Sequence, residues 1–391
     1  MAPLTRPGND ANRMRELAAV LELVRTGRAS TRGEIVSLLN LRSTSVSDFV
    51  GELVEKDLLR ESTPRRRGRG RPAALLTYNA QRFGAVVLQV TGRRLIARAV
   101  DMGGRIVAEH TDAPPQDSPN DAMATTLARL AGAAAAEFPA GVEVVAVVCS
   151  LSGLLDARQK RWCFSSRWPQ LHNLDIEAAL RPLGHAVVLV RNIDAELTGR
   201  LADLDNGHDK SVLLLHWGHG IGAAYYTEGE IVNRTNGRFC EIGHWQLGNG
   251  RGAPCACGST DCLETVAGLW ALRPRLEAAF PGIAATEPEL LADAMRFDLL
   301  SVPEVARATS EMVRLTSNLS RLLFPDRIIV TGPFVHNSAI FARFKSELER
   351  EPVLRAQERM VISAGEAMER FETAGALTGI FEAARERLIA G

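Results

Sequence analysis

Residues 240–264 read CEIGHWQLGNGRGAPCACGSTDCLE, and this stretch decides how the rest of the chain is interpreted. Four of its side chains, His244, Cys255, Cys257 and Cys262, offer thiolate or imidazole donors. Such donors suit Zn²⁺, which takes four of them tetrahedrally in structural sites. The alternatives are that the cysteines are incidental or form a disulfide. Half of the chain's six cysteines fall within eight residues, which favours a metal. The stretch therefore predicts one zinc ion per chain.

Bulk composition restricts the class of protein. The chain has 391 residues, 46% of them hydrophobic and 24% charged, values typical of a soluble protein with two or three domains. No apolar run reaches the roughly 18 residues of a membrane helix. The N-terminal residues lack the apolar core of a signal peptide. We therefore expect a cytoplasmic protein without membrane contact, a setting in which clustered cysteines favour metal over disulfide.

The charges are unevenly distributed along the chain. Formal net charge is zero, yet residues 1–80 contain 14 Lys/Arg against 9 Asp/Glu, and the remainder contains 32 against 37. A basic front on an acidic body indicates that the front binds nucleic acid or another polyanion.

Apolar residues at helical spacing predict three short helices near the N-terminus. They cover about residues 13–25, a segment capped by Ser30 or Thr31, and a segment from Ser43 or Thr44 to about Lys56. A tight turn before the third helix makes a helix-turn-helix. Its outer start carries small polar groups and one guanidinium, which suit base edges and phosphates in a major groove. These predicted DNA contacts are Arg42, Ser43, Thr44, Ser45 and Ser47.

A basic hairpin is predicted directly behind the helices. Strands near residues 58–60 and 74–78 flank PRRRGRGRP, residues 64–72. Such a tip is narrow enough to enter a minor groove, and Arg67, Arg69 and Arg71 are its predicted DNA contacts. The alternative is a solvated basic loop after a plain three-helix bundle. Serine-rich helix and arginine loop together favour a winged helix-turn-helix over residues 1–80.

From residue 81 onward the pattern is α/β. Strand meanders followed by helices occur twice, which predicts two related lobes with a ligand-binding cleft between them. We expect a first lobe over residues 81–194, completed by a C-terminal helix from about 373 to 391. A further helix is expected from about Ala195, after a buried strand at residues 186–190. The second lobe, over residues 195–372, is expected to carry the zinc loop and an oligomerisation surface.

The winged helix, the EIGH motif at 241–244 and the CxCGxxxCxE motif at 255–264 together resemble the ROK family of repressors and sugar kinases. The resemblance covers the chain from about residue 12 to its end. It implies an actin-like, hexokinase-like ATPase fold, a single zinc on the histidine and three cysteines, and assembly as a homodimer or homotetramer. It further implies a sugar pocket lined by Asn192, Asp194, Glu241, His244 and Glu264. One departure is Asp261, where the family usually has glycine, so a locally altered loop with the metal retained is expected.

Two features of the kinases in this family are missing. Gln89 stands where their phosphate loop has aspartate, and Ile193 stands where the general base follows the strand-end asparagine. Asp194 lies one residue further along. A glycine-rich turn, residues 218–222, partly survives, although any tight hairpin uses such glycines. We therefore expect no enzyme activity and no catalytic residues.

The resulting hypothesis is a sugar-responsive transcriptional repressor that is released from a double-stranded DNA operator by a sugar or sugar derivative. A sugar kinase with a DNA-binding domain and a regulator independent of any ligand are the alternatives. Individual residues have simpler interpretations as well. Asn192 is suited to capping the following helix, and Glu241 to accepting a hydrogen bond from loop backbone.

Overall fold

The computed structural model describes residues 7–62, 74–204, 210–248, 253–284, 286–351, 360–366 and 369–390. Across these ranges no helix combines the length and the apolar character that crossing a membrane requires.

The N-terminal domain is a helix-turn-helix followed by a two-stranded antiparallel hairpin. The helices pack on a shared core that includes Leu17, Ile35 and Val50. Thr31, one of the two residues predicted to cap the second helix, caps it in a capping box with Glu34. The elements are α1 (Pro7–Arg25), α2 (Arg32–Leu39), α3 (Ser43–Glu55), β1 (Leu59–Ser62) and β2 (Leu75–Tyr78). The predicted basic tip, with Arg67, Arg69 and Arg71, lies outside the described residues.

The first lobe contains a five-stranded sheet with the order β10-β6-β3-β4-β5. Strands β3, β6 and β10 are parallel, and the meander from β3 to β5 is antiparallel. A small sheet of β7, β8 and β9 lies beside it. The elements are β3 (Phe83–Thr91), β4 (Arg94–Asp101), β5 (Ile106–Asp112), α4 (Asn120–Ala136), β6 (Glu143–Leu151), β7 (Leu154–Asp156), β8 (Arg161–Phe164), β9 (His172–Asp175), α5 (Ile176–Leu180) and β10 (Ala186–Arg191).

The second lobe has a matching sheet with the order β13-β12-β11-β14-β15. Helix α6 covers one face of it, and the helices that follow residue 263 cover the other. The elements are α6 (Asn192–Asp203), β11 (Ser211–Trp217), β12 (Ile221–Thr227), β13 (Glu230–Ile231), α7 (Glu264–Ala267), α8 (Leu269–Ala279), α9 (Glu287–Ala294), α10 (Pro303–Leu323), β14 (Arg327–Thr331), α11 (Ser338–Glu349) and β15 (Val361–Ala364). Two C-terminal helices, α12 (Glu369–Ala376) and α13 (Ile380–Ala390), follow the second lobe in sequence.

Two differences from the sequence prediction concern helix ends. Helix α6 was expected from about Ala195 but begins at Asn192, so the polar residues after β10 form its first turn. The single helix expected from about 373 to 391 is two helices, α12 and α13. Gly379 between them has a φ of +78°, a left-handed conformation that interrupts a right-handed helix.

Helices α6 and α12 cross at very close range. Any Cβ on Gly199 would overlap the carbonyl oxygen of Phe371, and any Cβ on Gly375 would overlap that of Ala195. Beyond α12, helix α13 contacts the N-terminal domain: Lys56 donates from Nζ to the Leu388 carbonyl at 2.7 Å. The N-terminal domain, the first-lobe sheet and these C-terminal helices share one hydrophobic core.

Candidate functional site

The four predicted zinc ligands converge. The donor atoms of His244, Cys255, Cys257 and Cys262 all lie within 4.8 Å of one another. Cys257 Sγ lies 3.7 Å from Cys262 Sγ, too long for a disulfide bond of about 2.05 Å. This Sγ–Sγ distance matches the spacing of about 3.8 Å between two sulfur ligands in a tetrahedral zinc site with Zn–S bonds of about 2.3 Å. The donor set and its spacing therefore fit a structural zinc ion.

Local backbone geometry brings these ligands together. His244 ends a short 3₁₀ helix, Ile242–His244. The amide of Gly258 donates to the Cys255 carbonyl at 3.0 Å, which folds the CxC segment into a tight turn. Asp261, in the position where glycine is usual, has a φ of +66°. An aspartate thus adopts the left-handed conformation that favours glycine.

A cavity of about 710 Å³ lies between the two lobes, and the metal loop forms part of its wall. Of the five residues predicted to hold a sugar, four line it: Asn192, Glu241, His244 and Glu264. His244 belongs to both features, because its Nδ1 lies 3.4 Å from Cys255 Sγ while the residue also lines the cavity. A metal at the cluster would therefore fix the orientation of a cavity-wall side chain.

Glu264 is held rigidly at the first turn of α7. It is 5% exposed, and its Oε1 accepts a hydrogen bond from Trp270 Nε1 at 3.1 Å. Its Oε2 lies so close to Gly243 that a Cβ there would be only 2.8 Å away. The Glu264 carboxylate is thus held in place in the cavity wall. Its described hydrogen bonds include none from an arginine or a lysine.

Glu241 is the second carboxylate of the predicted sugar set. Burial raises the pKa of Glu241, and the nearby Arg191 guanidinium opposes this effect. Its Oε1 lies 3.6 Å from Arg191 Nη1. Glu241 therefore has a cationic neighbour, in contrast to Glu264.

The structure does not bring Asp194 to the cavity. Its carboxylate is 1% exposed and accepts a hydrogen bond from Arg191 Nη2 at 2.7 Å. The cause is the early start of α6, which places Asp194 in the first helical turn, two residues after Asn192. Ile193 lines the cavity and also packs in the core with Leu197.

Gln89, which was predicted to stand in place of a phosphate-loop aspartate, lies in a buried polar network. It is 1% exposed, and its Oε1 accepts from Arg98 Nη1 at 2.7 Å and from Thr373 Oγ1 at 3.1 Å. The next three residues, Val90, Thr91 and Gly92, do line the cavity.

Several cavity residues were missed by sequence reasoning. Arg191 directly precedes Asn192, so its position at the strand end could have identified it. The others come from distant segments without a recognisable motif, namely Arg167, His216, Glu287, Glu369 and Glu372.

The predicted DNA contacts of α3 lie on its outer side. Arg42, Ser43, Thr44 and Ser47 are exposed and Ser45 is half-buried, while Val46 and Phe49 face the core. The hydroxyl of Ser47 donates to the Ser43 carbonyl at 2.9 Å. A polar, accessible face therefore begins at the N-terminus of α3.

Comparisons with known proteins agree with this architecture. The ROK family model matches residues 86–381. The DNA-binding transcriptional repressor Mlc of Escherichia coli (strain K12) is 20% identical over 367 residues, which cover 91% of this chain and 90% of Mlc.

Two solved structures share the fold. A ROK family transcriptional regulator described as a homologue of the E. coli MLC protein has a TM-score of 0.68 at 19% identity, covering 97% of this chain and 98% of the other. A ROK glucokinase from Streptomyces griseus in complex with glucose and AMPPNP has a TM-score of 0.60 at 20% identity, covering 75% and 97%. The predicted fold class, an N-terminal winged helix-turn-helix followed by a two-lobed actin-like domain, is confirmed.

Proposed function

The chain belongs to the ROK family, and from this membership we propose that it is a DNA-binding transcriptional repressor that a sugar or sugar derivative releases from its operator. Its similarity to Mlc along nearly the whole length supports a regulator in preference to a kinase. The proposed domains are residues 1–80 for DNA, and 81–194 with 195–372 as the two lobes around the ligand.

The proposal rests on one observation: the chain combines an exposed, polar start of α3 with a cavity suited to binding a sugar. Asn192, Glu241, His244 and Glu264 offer polar groups for sugar hydroxyls. The neighbouring Ile193, in the position expected for a general base, has a hydrocarbon side chain that accepts no proton. Ligand binding without phosphoryl transfer follows, together with one zinc ion that holds His244 in place.

Asp194 is given a supporting role in this proposal. By fixing Arg191 it sets the charge beside Glu241, so it acts on the ligand through a neighbour and without touching it.

A route from ligand to DNA is proposed through helices. Ligand binding at Asn192 acts on the first turn of α6, which crosses α12 at the Gly199–Gly375 contact. From α12 the chain leads into α13, whose Leu388 carbonyl accepts the Lys56 hydrogen bond. A sugar that favours one arrangement of the lobes would thereby shift the winged helices of a dimer.

The test uses DNA that the wild-type chain selects from a random-sequence pool, followed by binding measured at fixed salt. A panel of sugars should include one that weakens binding, and Arg42→Ala should weaken it by about fivefold or more, since a specific base contact is worth ~1–3 kcal/mol. Arg158→Ala is the control, because it removes one exposed positive charge outside the predicted DNA contacts. Robust sugar phosphorylation with ATP, or no DNA selected, would count against the proposal.

A further inference from the structure

The glycine-rich turn between β11 and β12 directs a backbone amide, that of His219, at a carboxylate. It comprises Gly218, His219 and Gly220, and the Gly218 amide donates to the Gly220 carbonyl at 3.1 Å. Gly220 lines the inter-lobe cavity. Backbone amides of such tight turns form concavities that hold phosphate and other oxyanions.

An anion already fills this turn, and it is the chain's own. The amide of His219 donates to Glu287 Oε2 at 3.0 Å. The other carboxylate oxygen, Oε1, lies 2.7 Å from His216 Nε2. A Cβ on Gly218 would overlap both Glu287 Oε1 and His216 Nε2. Because Gly218 has no Cβ, the Glu287 carboxylate can approach the backbone of the turn as closely as a bound phosphate would.

The surrounding charges favour an anion at this point. Burial opposes ionisation of Glu287, but the His216 imidazolium, its hydrogen bond, the His219 amide and the Arg167 guanidinium outweigh it and lower the pKa of Glu287. Burial likewise opposes protonation of His216, yet Glu287 outweighs that effect and raises the pKa of His216. His216 Nδ1 lies 3.2 Å from Thr331 Oγ1, which holds the ring in position.

The pair is reachable from the cavity. Glu287, His216 and Arg167 all line it, and the side chains of Glu287 and His216 are each 16% exposed. Removing the Glu287 carboxylate would therefore open a polar niche to the cavity and would not create a sealed hole.

We propose that Glu287 is a built-in anion that occupies an oxyanion-binding turn at residues 218–220, so that phosphate groups are excluded from this half of the cavity. An uncharged sugar is then the ligand class for the wild-type chain, a conclusion that rests on the proposed function. Two like charges cannot share one niche, because repulsion and lost space act together against a second anion.

Glu287→Ala tests the niche directly. Calorimetric titration with pyrophosphate should show saturable binding to the variant and none to the wild type, and the exposed Glu289→Ala on the same helix should behave as the wild type. Adding His216→Ala to Glu287→Ala should weaken pyrophosphate binding by about tenfold or more, because charge-assisted hydrogen bonds contribute ~1.5–3 kcal/mol. Circular dichroism and gel filtration check folding. If the alanine variant does not fold, Glu287→Ser, which also vacates the niche but leaves a small polar group on the helix, takes its place with the same expectation.

Pyrophosphate binding to the wild type as tight as to the variant would overturn the inference, as would no binding to either folded variant. The ligand class is tested separately by titrating the wild type with free sugars and with their phosphates. Tighter binding of a sugar phosphate would overturn it. Selection of DNA by the wild type is a separate measurement, so failure of the repressor proposal and failure of the Glu287 inference are distinguishable.

Discussion

The guanidinium of Arg191 donates from Nη2 to Oδ1 of Asp194 at 2.7 Å, and the two side chains are only 4% and 1% exposed. Arg191 also donates to the Ala223 carbonyl at 2.9 Å and to the Phe239 carbonyl. One arginine thus joins the end of β10, the first turn of α6, strand β12 and the segment that leads to the zinc loop. Burial raises the pKa of Asp194, and the Arg191 charge opposes this rise.

Replacing Asp194 with alanine should destabilise the protein by about 3 kcal/mol or more, because the buried Arg191 guanidinium loses its hydrogen-bonded counter-ion and keeps only the more distant Glu241 carboxylate. Thermal unfolding monitored by circular dichroism measures the loss. Asp203→Ala is the matched control, since Asp203 on the same helix pairs with Arg370 at 3.5 Å and both side chains are largely exposed. A melting temperature equal to that of the wild type would show that Arg191 does not depend on Asp194.

Features encoded by short, local spacing were predictable from the sequence. The metal cluster follows from one histidine and three cysteines within 19 residues, and the structure brings those donors together. The helix-turn-helix follows from apolar periodicity, and Thr31 caps α2 as expected. Both features depend on residues that are close in sequence, so they could be predicted without a structure.

Features built from distant segments were not predictable. Glu287 reaches the turn at 218–220 from about 70 residues away, and Glu372 reaches Ser150 across 222 residues. The early start of α6 also escaped prediction, because Arg191 at the helix start donates to the Ala223 and Phe239 carbonyls, contacts with distant segments that no local propensity encodes.

The cluster of His244 and three cysteines should bind one zinc ion per chain. Elemental analysis of purified protein should give a 1:1 ratio, and Cys262→Ser should reduce it strongly because a structural site needs all four ligands. Cobalt substitution adds an absorption spectrum typical of tetrahedral thiolate ligation.

Cys163→Ser is the control for this metal prediction. Cys163 is a half-buried free cysteine in β8, outside the cluster, and its loss should leave the zinc content unchanged. Equal zinc content in the Cys262→Ser and wild-type proteins would contradict the assignment. If metal fixes His244, removal of zinc by a chelator should also weaken sugar binding in the wild type.

Glu372 should make the stability of the protein depend on pH. Burial raises the pKa of Glu372 to about 7, despite hydrogen bonds from Ser150 at 2.7 Å and from Gln89 that favour the ionised form. The unfolded chain loses this proton near the ordinary value of 4.5. The native state therefore binds more protons between about pH 4.5 and 7, and the free energy of unfolding falls as pH rises through that window.

Glu372→Gln removes the titrating group while keeping a side chain of the same size for Ser150. Its free energy of unfolding should change less than that of the wild type between pH 5 and 8, by a difference of about 3 kcal/mol at most. Melting temperatures at pH 5, 6, 7 and 8 measure this difference. The exposed Glu382→Gln should follow the wild-type curve. Parallel curves for Glu372→Gln and the wild type would mean that the buried carboxyl does not titrate in this range. The charge of Glu372 would then be stabilised by its network with Gln89 and Ser150 more strongly than burial penalises it.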